Sequence, residues 1–172
     1  MNQSGWARRI TSLLRGPGFA AFALASMFVS LEARSEESPI KVWLNPGFYS
    51  QHFDSGKNLR NSNPGLGVEV AFSPDHTVMA GAFTNSNGKR SEYATYWWRP
   101  LQWKLGSAGI SAGVAASVLN GYPNYRNGNW YVAAMPALAI EGERVGVNLI
   151  LIPTIKDRVQ GAISIQVKLR VW

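Results

Sequence analysis

The chain contains two histidines, His52 and His76, and the first stands in a segment with an unusual combination of residues. The segment LNPGFYSQHFDSG, residues 44–56, alternates apolar and polar residues as a strand does, yet it places Pro46 six positions before His52. Histidine transfers protons readily near neutral pH, whereas proline cannot donate a hydrogen bond to a sheet. The combination predicts a proton-transfer group beside a weak point in a sheet.

Eight segments with the two-residue period of a β-strand are available to position this histidine. The clearest is GAISIQVKLRVW at residues 161–172, where five aliphatic residues alternate with Ser, Gln, Lys and Arg. The others lie at about 43–53, 65–73, 77–86, 91–99, 106–119, 130–141 and 144–153, each bounded by turn-forming residues. No segment has a convincing helical period, so we predict an all-β fold.

Eight antiparallel strands can close as a soluble calycin-like barrel or as an outer-membrane barrel, and the two differ in which face is apolar. Aromatic residues cluster near the predicted strand ends, as in membrane barrels: Trp43, Tyr49, Phe53, Tyr96, Trp97, Trp98, Trp103, Trp130, Tyr131 and Trp172. The connections alternate between short and longer ones, which is also typical of that class. One detail conflicts, because Trp172 shares the parity of Arg170 rather than that of the apolar face. We therefore predict an eight-stranded antiparallel up-and-down transmembrane β-barrel.

Composition limits the location and the partners of the chain. Residues 1–33 combine three arginines with a short apolar run and predict a secretory signal peptide, which leaves residues 34–172 as an outer-membrane barrel domain. The formal net charge is +7, but the basic residues are scattered and form no nucleic-acid motif. The chain has no cysteine, no metal-ligand spacing and no phosphate-binding loop, so we expect neither a metal nor a cofactor.

The predicted topology brings His52 and Ser86 to one rim. With the N-terminus in the periplasm, His52 lies at the outer end of the first strand and residues 84–86 at the outer end of the third, whereas His76 falls in a periplasmic turn as a solvated residue. His52 could act as a base, Ser86 as a nucleophile or oxyanion donor, and Asn85 as a second donor or as the group that orients the imidazole. Spacing alone does not choose among these roles, and ordinary polar residues on the rim of a structural barrel remain an alternative.

Four prolines fall in pairs on neighbouring strands. Pro46 lies on the first strand and Pro64 just before the second, and Pro136 and Pro153 lie on the sixth and seventh. An unpaired backbone group facing lipid is costly, so each pair predicts a weak place in the barrel wall.

The motifs FYSQHF, NPGLGVE, MAGAFTNS, WWRPL, LGSAGISAGVAA and MPALAIEGERVGVNLILIP occur in this order between residues 48 and 153. The order of these motifs, together with two prolines seventeen residues apart in the last one, makes the chain similar to the lipid A palmitoyltransferases (PagP), which it resembles. The resemblance covers about residues 43–172. It implies a monomeric outer-membrane acyltransferase that moves a palmitate-like chain from a glycerophospholipid to lipid A. It further implies that His52, Asn85 and Ser86 are catalytic, and that the prolines form two lateral lipid gates, Pro46 with Pro64 and Pro136 with Pro153.

Three features depart from the family pattern. Asn85 stands where the family has Asp, Tyr93 lies near the position of a glycine at the floor of the acyl pocket, and residues 34–43 are too few for the family's N-terminal helix. Two other functions compete with acyl transfer. One is a lipid A deacylase, although the C-terminal strands here contain no His. The other is a small non-enzymatic barrel that binds lipid or stiffens the membrane.

Overall fold

The computed structural model describes residues 40–172 except 55, 57 and 157, so the predicted signal peptide lies outside the described residues. Eight antiparallel strands form a closed barrel in which each strand pairs with the next and the last with the first. They are β1 (Lys41–His52), β2 (Ser62–Ala71), β3 (His76–Thr84), β4 (Arg90–Leu105), β5 (Ala108–Leu119), β6 (Tyr131–Glu141), β7 (Val145–Ile152) and β8 (Ala162–Arg170). The prediction of an all-β, eight-stranded antiparallel up-and-down barrel is confirmed.

The barrel turns its apolar face outward and much of its polar face inward. In β8, Ile163, Val167 and Leu169 are exposed, whereas Gln166 and Lys168 are fully buried inside the barrel. The same alternation exposes Leu66 and Val68 on β2, Val114 and Val118 on β5, and Val132 and Ile140 on β6. Within the described part of the chain, no helix is long and apolar enough to cross a membrane.

Exposed aromatic residues lie near both ends of the barrel. We call the end at which β1 finishes with His52 the upper end, and the opposite end the lower end. The upper group is Tyr49, Phe53 and Trp130, and the lower group is Phe72, Tyr96, Trp98, Trp103 and Trp172. Trp172 is 79% exposed because β8 finishes at Arg170 and its alternation no longer applies to the last residues.

Two tryptophans assigned to the outer face by the sequence are buried inside the barrel. Trp43 and Trp97 are both fully buried because each shares the inward parity of its strand, next to Asn45 and Thr95 respectively. The prediction that they belong to an outer aromatic group is wrong, and proximity to a strand end was an insufficient criterion.

The lower part of the interior is filled by a buried ionic cluster to which five strands contribute. Lys168 Nζ lies 2.6 Å from Glu69 Oε1 and 2.7 Å from Glu141 Oε1. Arg99 contacts the same Glu141 oxygen at 2.8 Å, and the Asn148 amide donates to Glu69 Oε2 at 2.8 Å. Buried charges are tolerated when each one is paired and hydrogen-bonded, as here.

Above the ionic cluster, apolar side chains pack across the barrel. Phe48, Phe83 and Tyr93 make three edge-on ring contacts with centroids 5.0–5.9 Å apart. The ring of Tyr93 lies against Gly67 and Gly81, where a Cβ atom would come within 3 Å of it. Small residues on β2 and β3 therefore leave the room that this aromatic layer needs.

The register of β1 changes at Pro46, and this change decides where His52 points. The pairing with β2 shifts between Asn45 and Gly47, and Gly47 has φ +113° with no space for a side chain beside the Asn63 carbonyl. Below the irregularity the odd-numbered residues face inward, and above it Ser50 and His52 do. An uninterrupted alternation would have turned His52 outward, so the Pro46–Gly47 step places it on the interior.

Several predicted strand boundaries are corrected. β2 begins at Ser62, so Pro64 lies within the strand rather than before it. β4 continues to Leu105, past Pro100, because the pairing with β5 resumes after a register shift between Trp98 and Leu101.

Candidate functional site

A cavity of about 410 Å³ lies at the upper end of the barrel, above the aromatic layer. This volume falls within the ordinary range for sites that bind small molecules. Ser50, His52 and Ser86 form a polar part of the lining, and the rest of the wall is largely apolar: Leu119, Ala133, Ala134, Met135, Ile152 and Ala162. The cavity therefore presents a base and two hydroxyl groups beside an apolar surface.

His52 is held by an asparagine that sequence reasoning missed. Its Nδ1 atom lies 3.1 Å from Oδ1 of Asn61, which ends the β1–β2 connection. A carboxamide oxygen only accepts hydrogen bonds, so the ring Nδ1–H donates and Nε2 carries the free lone pair of the neutral imidazole. The antiparallel pairing of Tyr49 with Ser62 is what brings Asn61 opposite the end of β1, and strand pairing was the signal that could have identified it.

Ser86 reaches the same region through Asn63. The Ser86 hydroxyl contacts Asn63 Oδ1 at 3.5 Å, and the amide nitrogen of Asn63 donates to Ser50 Oγ at 2.9 Å and to the Asn61 carbonyl at 3.1 Å. Asn63 itself is 1% exposed. The structure thus brings His52 and Ser86 to one cavity and joins them through two asparagines, with no direct hydrogen bond between them.

Asn85 has a different environment from His52 and Ser86. It is fully buried, and its amide nitrogen donates to Ser91 Oγ at 2.9 Å and to the Gly121 carbonyl at 2.8 Å. Its amide oxygen accepts from the backbone N–H groups of Asn87 and Lys89. The amide therefore joins the β3–β4 turn to the β5–β6 connection, and it is Asn61 that contacts the imidazole.

The wall beside the cavity is incomplete between β6 and β7. Pairing of these strands stops at Ala137 with Ile150, although β6 continues to Tyr131. Pro136 is the first β6 residue without a β7 partner, and Pro153 follows the end of β7. Both faces of this free stretch border the cavity, since Ala133 lies on its inner side and Val132, 74% exposed, on its outer side. The cavity therefore extends to the outer surface of the barrel at this point.

The other proline pair lies in a different kind of wall. Pairing of β1 with β2 continues on both sides of Pro46, with Asn45 opposite Gly67 and Gly47 opposite Pro64. The β1–β8 pairing is interrupted from Leu44 to Tyr49. Pro46 thus marks an irregularity in the wall, while the β6–β7 prolines stand where pairing ends.

His76 lies at the lower end of the barrel, far along the strands from the cavity, and is not a freely solvated turn residue. It begins β3, and its Nδ1 atom lies 2.6 Å from the hydroxyl of Tyr96. Its ring stacks between Phe72 and Tyr96, with centroid distances of 5.9 and 5.8 Å. These contacts account for His76 as part of the lower aromatic group.

Loops of the upper end surround the cavity mouth. Tyr122 and Tyr125 come from the β5–β6 connection, and Ile155, Arg158 and Val159 from the β7–β8 connection. Burial raises the pKa of Tyr122 to about 12, so its phenol stays protonated at neutral pH.

Comparison with known proteins assigns the chain to no group. No protein-family model matches it, and no curated protein matches it significantly in sequence.

Proposed function

We propose that this chain is an outer-membrane acyltransferase that moves an acyl chain from a glycerophospholipid to lipid A. The observation that supports this most strongly is the upper cavity, where His52 and Ser86 face apolar walls that continue to the outer surface between β6 and β7. The proposal therefore rests on the combination of a base, a hydroxyl group and a lateral route for an apolar chain.

Insertion in the outer membrane is supported by the distribution of exposed side chains. Aliphatic residues cover the outside of the strands, and aromatic residues lie near both ends. A closed barrel satisfies its backbone groups by strand pairing, which a membrane requires. The stretch Tyr131–Pro136 has no β7 partner and is the place where a lipid chain would enter.

The chemistry we propose is direct transfer with His52 as general base. Nε2 of His52 takes the proton from the attacking hydroxyl of the acceptor, whose oxygen adds to the ester carbonyl of the donor. The Ser86 hydroxyl faces the cavity and makes only a long contact of 3.5 Å with Asn63 Oδ1, so its single proton turns from that oxygen to the resulting oxyanion. The imidazolium then returns the proton to the departing lysophospholipid oxygen as the C–O bond breaks, and Asn61 keeps the ring in the required tautomer.

The test is mass spectrometry of lipid A from cells that express the wild-type protein or single variants. His52→Ala and Ser86→Ala should each remove the added acyl chain, because the first deletes the base and the second the oxyanion donor of the proposed reaction. His76→Ala is the matched control, since it removes the other histidine at the opposite end, and it should leave the modification unchanged. Folding of every variant is checked by heat-modifiable migration on gels.

Asn61 supplies a second, graded measurement. Asn61→Ala should lower kcat by about 10- to 1,000-fold while the barrel stays folded, because the Nδ1–H donor loses the acceptor that fixes the tautomer. Acyl transfer that persists in His52→Ala with the barrel folded would overturn the proposed chemistry.

A non-enzymatic barrel is the second candidate, and the packing of the lower interior favours it. The ionic cluster around Lys168 and the aromatic layer around Tyr93 fill most of the bore, as in a structural barrel. Lipid A that is identical with and without the wild-type gene would support this candidate. Loss of an acyl chain from lipid A on expression would instead indicate a deacylase.

A further inference from the structure

The β7–β8 connection forms a small hairpin over the mouth of the upper cavity. Ile155 and Val159 exchange backbone hydrogen bonds of 2.9 Å in both directions, and the Arg158 N–H donates to the Ile155 carbonyl at 2.9 Å. Ile155, Arg158 and Val159 all line the cavity. The hairpin therefore fixes the backbone of Arg158 at the mouth, and the side chain that extends from it lines the cavity.

The described residues that line the cavity carry positive charge and no negative charge. Among the described residues, Arg158 is the one lining side chain with a permanent charge, and no Asp or Glu of that part of the chain lines the cavity. Neutral groups that can donate hydrogen bonds surround the same mouth: Asn87, Asn124, Tyr122, Tyr125 and Gln160. A guanidinium with neutral donors, and with no carboxylate among the described lining residues, matches the needs of a phosphate group.

We infer that Arg158 binds the phosphate of the donor glycerophospholipid, an inference that rests on the proposed function. When an acyl chain occupies the apolar part of the cavity, its ester carbonyl lies beside His52 at the rim. In a glycerophospholipid the phosphate is attached to the same glycerol, a few bonds from the ester, and projects away from the acyl chains. It must then lie at the mouth, where Arg158 is held.

The donor phospholipid fits the site better than the acceptor does, because a single donor molecule would occupy both the apolar cavity and its mouth. The apolar walls bind its chain and the mouth binds its headgroup, so the phosphate sets how deeply the ester descends toward His52. Arg158 is accordingly a specificity-determining residue that distinguishes phosphate-bearing donors from neutral acylglycerols.

The first experiment measures binding without turnover. The full-length mature protein in non-ionic detergent is titrated with two ether-linked probes of equal chain length, a monoalkyl glycerophosphate and the corresponding monoalkyl glycerol. We expect wild type to prefer the phosphate probe by about 10- to 100-fold, the range of a charge-assisted hydrogen bond. In Arg158→Gln the preference should fall to within about threefold, and Arg158→Lys should retain part of it.

Lys156→Gln is the matched control. Lys156 belongs to the same connection and carries the same charge, but it does not line the cavity. Its variant should keep the wild-type preference. An equal loss of preference in both variants would mean that general surface charge attracts the phosphate, and this would overturn the inference.

The second experiment measures acyl transfer from a phospholipid and from a diacylglycerol with the same chains. Arg158→Gln should lower the ratio of the two kcat/KM values by about 10- to 100-fold, with native and with dephosphorylated lipid A as acceptor. A loss that disappears with the dephosphorylated acceptor would show that Arg158 binds the acceptor phosphate, which contradicts the inference. Wild-type protein that transfers from neither donor would defeat the proposed function, and the ether-probe titration would still decide the role of Arg158.

Discussion

Replacing Asn85 by Asp separates a catalytic role for this residue from a structural one. The sequence predicts a catalytic role, because Asn85 stands where the resembled family has Asp and could orient the imidazole of His52. In the structure the Asn85 amide nitrogen donates to Ser91 and Gly121 instead. An Asp cannot make those donations when ionised, so we expect Asn85→Asp to destabilise the upper end and lower acyl transfer.

The size of the effect follows from the two lost hydrogen bonds. The Gly121 carbonyl, now 2.8 Å from an amide donor, would face a carboxylate oxygen, and Ser91 can supply only one hydroxyl proton, which it already donates to the Asn120 carbonyl at 2.6 Å. Leaving a buried polar group unsatisfied costs about 1–3 kcal/mol, so two such groups lower the free energy of unfolding by about 2–6 kcal/mol.

Urea unfolding in detergent micelles measures this loss. Asn129→Asp is the matched control, because Asn129 is exposed in the β5–β6 connection and makes no side-chain hydrogen bond to the described residues. The control should unfold like wild type. The difference in unfolding free energy between the Asn85 variant and wild type should narrow as the pH falls, because the protonated carboxyl can donate one hydrogen bond that the ionised form cannot.

Unchanged stability of Asn85→Asp together with faster acyl transfer would refute this reasoning. It would mean that the side chain at position 85 acts on His52, contrary to the contacts of the described structure.

Three further predictions concern the wall and the interior. Pro136→Ala restores a backbone donor where β6–β7 pairing stops, and it should slow acyl transfer without loss of stability. The control Pro100→Ala should leave the rate of acyl transfer unchanged. Equal rates for Pro136→Ala and wild type would show that Pro136 only marks the end of the paired region. Tyr93→Ala opens the aromatic layer and should lengthen the acyl chains that are transferred, as measured by gas chromatography of the products, while Tyr93→Phe leaves the length distribution unchanged. Lys168→Met leaves Glu69 and Glu141 buried without their shared cation. It should lower the free energy of unfolding, measured by urea titration, by about 3–5 kcal/mol. The double variant Lys168→Met with Glu69→Gln should recover part of that loss.

The strand content was predictable because it depends on local information. A two-residue period and the clusters of turn residues are properties of short segments, and they identify the eight strands with boundary errors at Ser62 and Leu105. The location of His52 and Ser86 on the same upper rim followed from strand order alone. In an up-and-down barrel the first and third strands run in the same direction, so their ends lie at the same rim. The aromatic residues were harder, since Trp43 and Trp97 differ from their exposed neighbours only in parity.

The site itself depended on pairing between segments that are distant in sequence. The face on which His52 lies follows from the register shift at Pro46–Gly47, and its partner Asn61 follows from the pairing of β1 with β2. The early end of β6–β7 pairing opens the cavity, and the hairpin from Ile155 to Val159 brings Arg158 over it. The two-residue period of a sequence shows which residues alternate between the two faces of a strand. The register between two strands depends on how both of them pack, so only the structure of the closed barrel determines which side chains come into contact.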